Sequence, residues 1–400
     1  MPKDNNTFFV RKNVWSEVKD ALLGCYFKPY VSKILYTRRP LFYVDCFAGK
    51  GKFDDGKKGS PLIALDIIDE CQRVSSIQNP QIQSCFIELN HAEELSKNIT
   101  AYGNIQVISG KYEDNIETLL QGKQKQNVFL YVDPYGIKAL NCGLFDKFSG
   151  NGFNSIELLI NMNSFGFIRE ACRALDVTYS DVEAFDEIVE YEPSIMDSSA
   201  QSIQELTDIA GGEYWKKIVE DYKEKRINGY EAEIRFSLQY CQRLNQNYKY
   251  VLNMPIRLRE GQRPKYRMIH ATNHEDGCVL MYDNICKRWE ALSHIQTDGQ
   301  LKLFEETIEN TTIDMNDIKT RFAAHVAQYT TDTKLNKFLA EFYANNGVLC
   351  PSGDIRKILP ELEKTGAIIV SRTPATTKTG APSKFFTQSA SKSIFIRRKP

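Results

Sequence analysis

None of the ten cysteines forms a Cys-x-x-Cys pair, so neither a zinc site nor a disulfide framework is expected. Cys46, Cys85 and Cys278 lie in apolar runs and read as buried thiols in a reducing compartment. The five histidines, His91, His270, His274, His294 and His325, show no metal-ligand spacing, so each reads as structural and no metal is expected. No apolar run approaches the ~20 residues that a membrane span needs. No basic-then-apolar leader opens the chain, so the expectation is a cytoplasmic protein with no membrane partner. Gly-x-Gly-x-x-Gly is also missing, because position 54 is Asp, and this argues against a nicotinamide dehydrogenase. One long stretch lacks positive charge altogether: residues 174–215 hold 11 acids and no Lys or Arg.

Net charge is absent too, with 51 basic and 51 acidic side chains, but the balance is uneven. Residues 315–400 carry 14 Lys and Arg against 6 acids, leaving the preceding part acidic by eight charges. A basic half beside an acidic one points to polyanion contact. Four hundred residues exceed one average domain and predict two.

What is present has a strand–helix rhythm. Residues 15–35 place apolar side chains at helical spacing, and Pro29 is expected to break them into a helix or helix pair. Strands are expected at 41–46, 84–88, 105–109, 128–133 and 155–161, with helices at 62–71, 92–100 and 114–121 between them. Ser60 reads as the cap of the first of these helices, with Pro61 at its first position. Alternation at this interval means a parallel sheet with right-handed crossovers. Residues 248–258 and 265–272 form a plausible hairpin that finishes the sheet. The fold class is therefore α/β, a Rossmann-like sheet over residues 1–300 with a helical insertion at about 166–247. The polar connection at 300–318 leads to helices at 320–329, 335–345 and 352–365 and short strands at 367–372 and 384–387. These predict a winged helix-turn-helix domain over residues 315–400.

The chemistry sits at strand ends. Leu-Phe-Tyr-Val-Asp-Cys-Phe-Ala-Gly-Lys-Gly at 41–51 is an apolar strand ending in an acid and a glycine-rich turn. A carboxylate here would repel phosphate but suits S-adenosylmethionine, whose ammonium and sulfonium are cationic. In an open parallel sheet the ligand lies outside the carboxyl ends of the strands. Asp45 with the Phe47 and Ala48 backbone can take the ammonium, and Gly49 and Gly51 let the backbone approach. Glu88, ending the second strand, can accept from ribose hydroxyls. Tyr112 and Glu113 follow the third strand, where adenine is commonly held; a solvated helix start explains them equally. Asp133-Pro134-Tyr135-Gly136 ends the fourth strand and resembles the Asp-Pro-Pro-Tyr signature of amino-group methyltransferases, without the second proline. There the acid orients a target nitrogen, which is positioning catalysis. Asn161, Asn163 and Arg169 follow the fifth strand and could touch the acceptor. In the tail, Arg356, Lys357, Arg372, Lys378 and Lys384 are candidate phosphate contacts.

Taken together, the 41–51 segment, Gly59-Ser60-Pro61-Leu62, Phe129-Leu130-Tyr131-Val132-Asp133-Pro134-Tyr135-Gly136 and Tyr266-Arg267-Met268-Ile269-His270 resemble the three-Cys-motif partner family, TcmP. The likeness covers roughly residues 12–290, and the basic tail is similar to a winged helix appended to that group. The resemblance implies a class I S-adenosylmethionine-dependent methyltransferase fold and a cysteine-motif partner protein. Lys50 departs from the proline the family more often carries there. Two functions are carried forward. One is methyl transfer to nucleic acid, at a base nitrogen, with Asp133, Pro134, Tyr135 and Asn161 on the acceptor side. The other is a non-catalytic scaffold that binds nucleic acid and a partner protein, in phage defence for example.

Overall fold

Strand β1 (Leu41–Asp45) is buried along its whole length, as a central strand of a sheet covered on both faces must be. Its neighbours β2 (Ile82–Glu88) and β4 (Asn127–Val132) are nearly as apolar and pair with it in parallel. The computed structural model describes residues 9–12, 14–76, 81–178, 200–256, 266–295, 315–389 and 391–399. Strands β3 (Ile105–Ser109), β5 (Ser155–Met162), β6 (Tyr250–Ile256) and β7 (Tyr266–Thr272) complete a seven-stranded sheet in the order β3-β2-β1-β4-β5-β7-β6. The first five strands are parallel; β7 runs antiparallel to both β5 and β6. The expected α/β fold, mostly parallel with an antiparallel finish, is what forms.

Helix α1 (Val14–Thr37) precedes the sheet and packs on α2 (Ser60–Val74). Pro29 lies inside α1 without ending it, contrary to the expected break. Tyr26, Phe27, Tyr30 and Val31 bury fully against Tyr43 and Phe129 of the sheet, and that burial outweighs the missing backbone donor. The start of α2 also differs from expectation. Gly59 is the cap residue and makes no side-chain cap bond, while the Ser60 hydroxyl donates to Asp45 instead. Three more crossover helices, α3 (Ala92–Ile99), α4 (Tyr112–Leu120) and α5 (Cys142–Ser149), link the strands that follow. After β5 come α6 (Ser164–Ala174), α7 (Ala200–Ala210), α8 (Tyr214–Lys223) and α9 (Gly229–Leu244). They bury Trp215, Phe167, Phe236 and Tyr240 over one edge of the sheet. Half of the acidic run, residues 179–199, lies outside the described residues.

The chain divides at residue 273 into two compact units. The second begins with α10 (Glu275–Ile295), which the sequence reading had placed in the first domain. Tyr282 of α10 stacks on Tyr343 at 3.7 Å and donates to the Cys350 carbonyl, which ties α10 to its own unit. The unit also holds α11 (Met315–Val326), α12 (Leu335–Asn346), α13 (Ser352–Thr365), and strands β8 (Thr333–Lys334), β9 (Ile368–Thr373) and β10 (Ser393–Arg398), ordered β8-β10-β9. The strand expected at 384–387 does not form. β10 forms nine residues later, where Ile394 and Ile396 alternate inward and are buried.

Candidate active-site cleft

The carboxyl ends of β1, β4 and β5 open onto one cleft, at the place where the strand order reverses between β1 and β4. Phe47, Ala48, Gly49 and Gly51 line it from the β1 side. Asp133, Pro134, Tyr135 and Asn161 line it from β4 and β5, so all four residues expected on the acceptor side converge there with four of the eight expected on the cofactor side; Asp45, Glu88, Tyr112 and Glu113 do not line it.

The β1 loop is held by its own acids. Asp45 is fully buried and does not line the cleft: one oxygen accepts from the Phe47 amide at 3.2 Å, the other from the Ser60 hydroxyl at 2.6 Å. Burial pushes its carboxyl up to about 7, against the opposing pull of those two hydrogen bonds. Glu88 accepts from the Gly49 amide at 2.8 Å and from the Asn90 and His91 amides at 2.9 and 3.1 Å. It therefore clamps the β1 loop to the β2 end. Gly49 and Gly51 have φ of +61° and +75°, which favours glycine. A Cβ at Gly49 would meet the Phe9 ring at 3.0 Å, and one at Gly51 would meet Leu95 Cδ1 at 2.9 Å. These glycines thus make room for the protein's own side chains, where the sequence reading gave them to cofactor approach. Tyr112 is buried against Phe47 at 5.4 Å and its hydroxyl has no partner, while Glu113 is exposed; neither lines the cleft.

The β4 turn is held differently. Asp133 Oδ1 takes the Lys19 ammonium at 2.8 Å and the Asn161 amide at 2.7 Å, and Tyr131 donates to Oδ2 at 3.4 Å. The bond from Asn161 Nδ2 sets the amide with its nitrogen on Asp133 and leaves its Oδ1 unused there. That oxygen is buried and unpartnered, an acceptor awaiting a donor. Tyr135 is 48% exposed. Asn163 lines the cleft and also accepts from the Gly166 amide to cap α6, whereas Arg169 does not line it.

Sequence reasoning missed the contribution of α1. Ser16, Lys19 and Asp20 share one helical face and line the cleft. Asp20 pairs with Lys12, whose ammonium also donates to the Lys58 carbonyl at 2.6 Å. Burial raises the Asp20 carboxyl to about 6, opposed by Lys12. Phe9, Lys52, Phe53 and Tyr266 also line the cleft unanticipated. The available signal was a Lys-Asp pair beside apolar positions of a helix that leads into the first strand.

In the second unit the five candidate phosphate contacts fall into two sets. Arg372 forms a two-pronged pair with Glu363, both contacts at 2.7 Å, and stacks over Phe386. Arg356 pairs with Asp283 at 2.8 Å and Lys357 with Asp354 at 2.7 Å. Lys378 and Lys384 are exposed on the connection between β9 and β10.

No family model matches the chain, and no curated protein matches it. Among solved structures, the plantazolicin methyltransferase BamL, crystallised with a triazolic desmethylPZN analog and SAH, is 12% identical over 68% of this chain and 90% of that one, with a TM-score of 0.33. PKMT2 from Rickettsia typhi is 10% identical over 86% and 73%, with a TM-score of 0.29. At these scores the likeness says nothing of cofactor or substrate.

Proposed function

We propose that this chain is an S-adenosylmethionine-dependent methyltransferase acting on nucleic acid, at a base nitrogen. The observation that carries the reading is the convergence of the glycine loop, the Asp133 turn and Asn161 on one cleft at the reversal of strand order. The cleft's residues fit a cationic cofactor: two carboxylates, Asp20 and Asp133, line it beside the unpartnered acceptor Asn161 Oδ1. The cofactor supplies a methyl group on a sulfonium. The chain's own part is positioning: Asp133 and Asn161 accept from an amino group and aim its lone pair, and the half-exposed Tyr135 stacks on the base.

In the second unit, the α12–α13 helix pair and the β8-β10-β9 sheet support reading a winged helix-turn-helix domain. Lys378 and Lys384 are its available phosphate contacts. The TcmP resemblance adds a cysteine-motif partner protein to this reading, and the mostly buried cysteine thiols add a cytoplasmic setting.

Calorimetric titration with S-adenosylhomocysteine, followed by labelled methyl transfer to DNA and to RNA, tests it. Micromolar binding and label in one nucleic acid are expected; no binding at millimolar ligand would overturn it. The second reading, a non-catalytic scaffold, is favoured by the occupation of Asp133 by Lys19 and Asn161. Binding without transfer to either nucleic acid would select it.

A further inference from the structure

A zwitterionic ligand entering this cleft needs one anion and one cation to meet it. The acids assigned to the cofactor from sequence are already spent. Asp45 is sealed under the loop, with both oxygens hydrogen-bonded, and Glu88 serves three backbone amides. The charged groups lining the cleft are Lys19 and Asp20 of α1, Asp133 of the β4 turn and Lys52 of the β1 loop; Lys19 pairs with Asp133, and Asp20 with Lys12, which precedes α1.

We propose that the methionine end of the cofactor is received by α1, its ammonium on Asp20 and its carboxylate on Lys19. The inference rests on the methyltransferase reading and names the residues of that site. Both pairs are largely buried, with side-chain exposures of 6% and 11% for Lys12 and Asp20, and 11% and 19% for Lys19 and Asp133. Their desolvation has already been met in folding, and a zwitterion brings no net charge: taking Asp20 and Lys19 it releases Lys12, which keeps the Lys58 carbonyl, and Asp133, which keeps the Asn161 amide. Each cation is on a long flexible stem that can swing without moving the backbone. Ser16, one turn before Asp20, adds a hydroxyl on the same face.

The exchange has a second effect. When Lys19 turns to the ligand carboxylate, Asp133 Oδ1 loses its ammonium and becomes open to an N–H of the acceptor. The unpartnered Asn161 Oδ1 stands beside it. Cofactor loading thereby prepares the acceptor side, and binding is ordered, cofactor first.

The test compares S-adenosylhomocysteine with 5′-methylthioadenosine, which keeps the nucleoside and lacks the amino-acid end. Calorimetry on the full chain is expected to show a tenfold or greater loss of S-adenosylhomocysteine affinity in Asp20→Asn and in Lys19→Met. Affinity for 5′-methylthioadenosine is expected to stay within twofold of wild type. The nucleoside ligand also reports whether each variant is folded. Equal weakening of both ligands, or no change in either, in both variants would overturn the inference and leave the methyltransferase reading standing. Wild type that binds neither ligand would overturn both.

Discussion

The loop after β1 and the turn after β4 each carry an acid at the end of a buried parallel strand, yet the two acids are held in opposite ways. Asp45 is fastened by the Phe47 amide and the Ser60 hydroxyl, and Glu88 beside it by three backbone amides. Asp133 is fastened by side chains from distant elements, Lys19 of α1 and Asn161 of β5. Backbone bonds cannot be exchanged without remaking the loop, so the first pair of acids sets shape. Side-chain bonds can be exchanged for a ligand, so the second acid sits where chemistry can be done. A strand-end carboxylate is thus informative about function only once its partners are known.

The strongest way to break this comparison is Glu88→Ala. It strands three amides, and charge-assisted bonds are each worth roughly 1.5–3 kcal/mol, so a stability loss of about 3 kcal/mol or more is expected from the urea midpoint. Asp133→Asn keeps an acceptor for the Lys19 ammonium and the Asn161 amide and is expected to cost less, about 1–2 kcal/mol. If the two losses are alike, the distinction between shape and exchange is wrong. The same Asp133→Asn variant should lose methyl transfer by about a hundredfold while S-adenosylhomocysteine still binds.

Asp45 sharpens the contrast through pH. Folded, its carboxyl is raised to about 7 by burial; in the unfolded chain it titrates near 3.8. Between these values the folded state binds the extra proton, so stability falls as pH rises from about 4 to about 7 and levels above. Asp45→Asn is expected to flatten that slope by roughly 2–4 kcal/mol, read from urea midpoints at pH 5 and pH 7.5. An unchanged slope would show that the carboxyl is not protonated in the folded loop. A smaller effect of 1–3 kcal/mol is expected for Gly51→Ala, from φ of +75° and the Leu95 methyl that the new Cβ would meet.

The second unit offers the mildest test. Lys378→Glu with Lys384→Glu should leave stability within about 0.5 kcal/mol and lower the salt slope of nucleic-acid binding by about 2. Arg372→Ala should instead destabilise the unit, since its fork is committed to Glu363 and to the Phe385 carbonyl.

Much of the sheet was legible because period and position agree. Five apolar runs separated by helical segments, three of them ending in an acid, admit few arrangements, and they placed Asp45, Glu88 and Asp133 at the right strand ends. What was not legible depended on contacts between distant residues. Nothing near Lys19 says that it reaches Asp133, 114 positions away, and Pro29 reads as a break until Tyr26 and Phe27 are seen under the sheet. The misplaced last strand has a local cause. Residues 384–387 and 393–398 are both short and apolar beside basic residues, and only the inward alternation of Ile394 and Ile396 decides between them.

The Phe9 ring lies against Gly49 and edge-on to His91 at 5.0 Å, and its carbonyl accepts from the Asp54 amide at 2.8 Å. Forty positions separate ring and glycine, yet each occupies space the other must leave open. The two sites are therefore expected to change together in descent. A relative with alanine in place of Gly49 should carry a small residue in place of Phe9, and a relative that keeps the ring should keep the glycine.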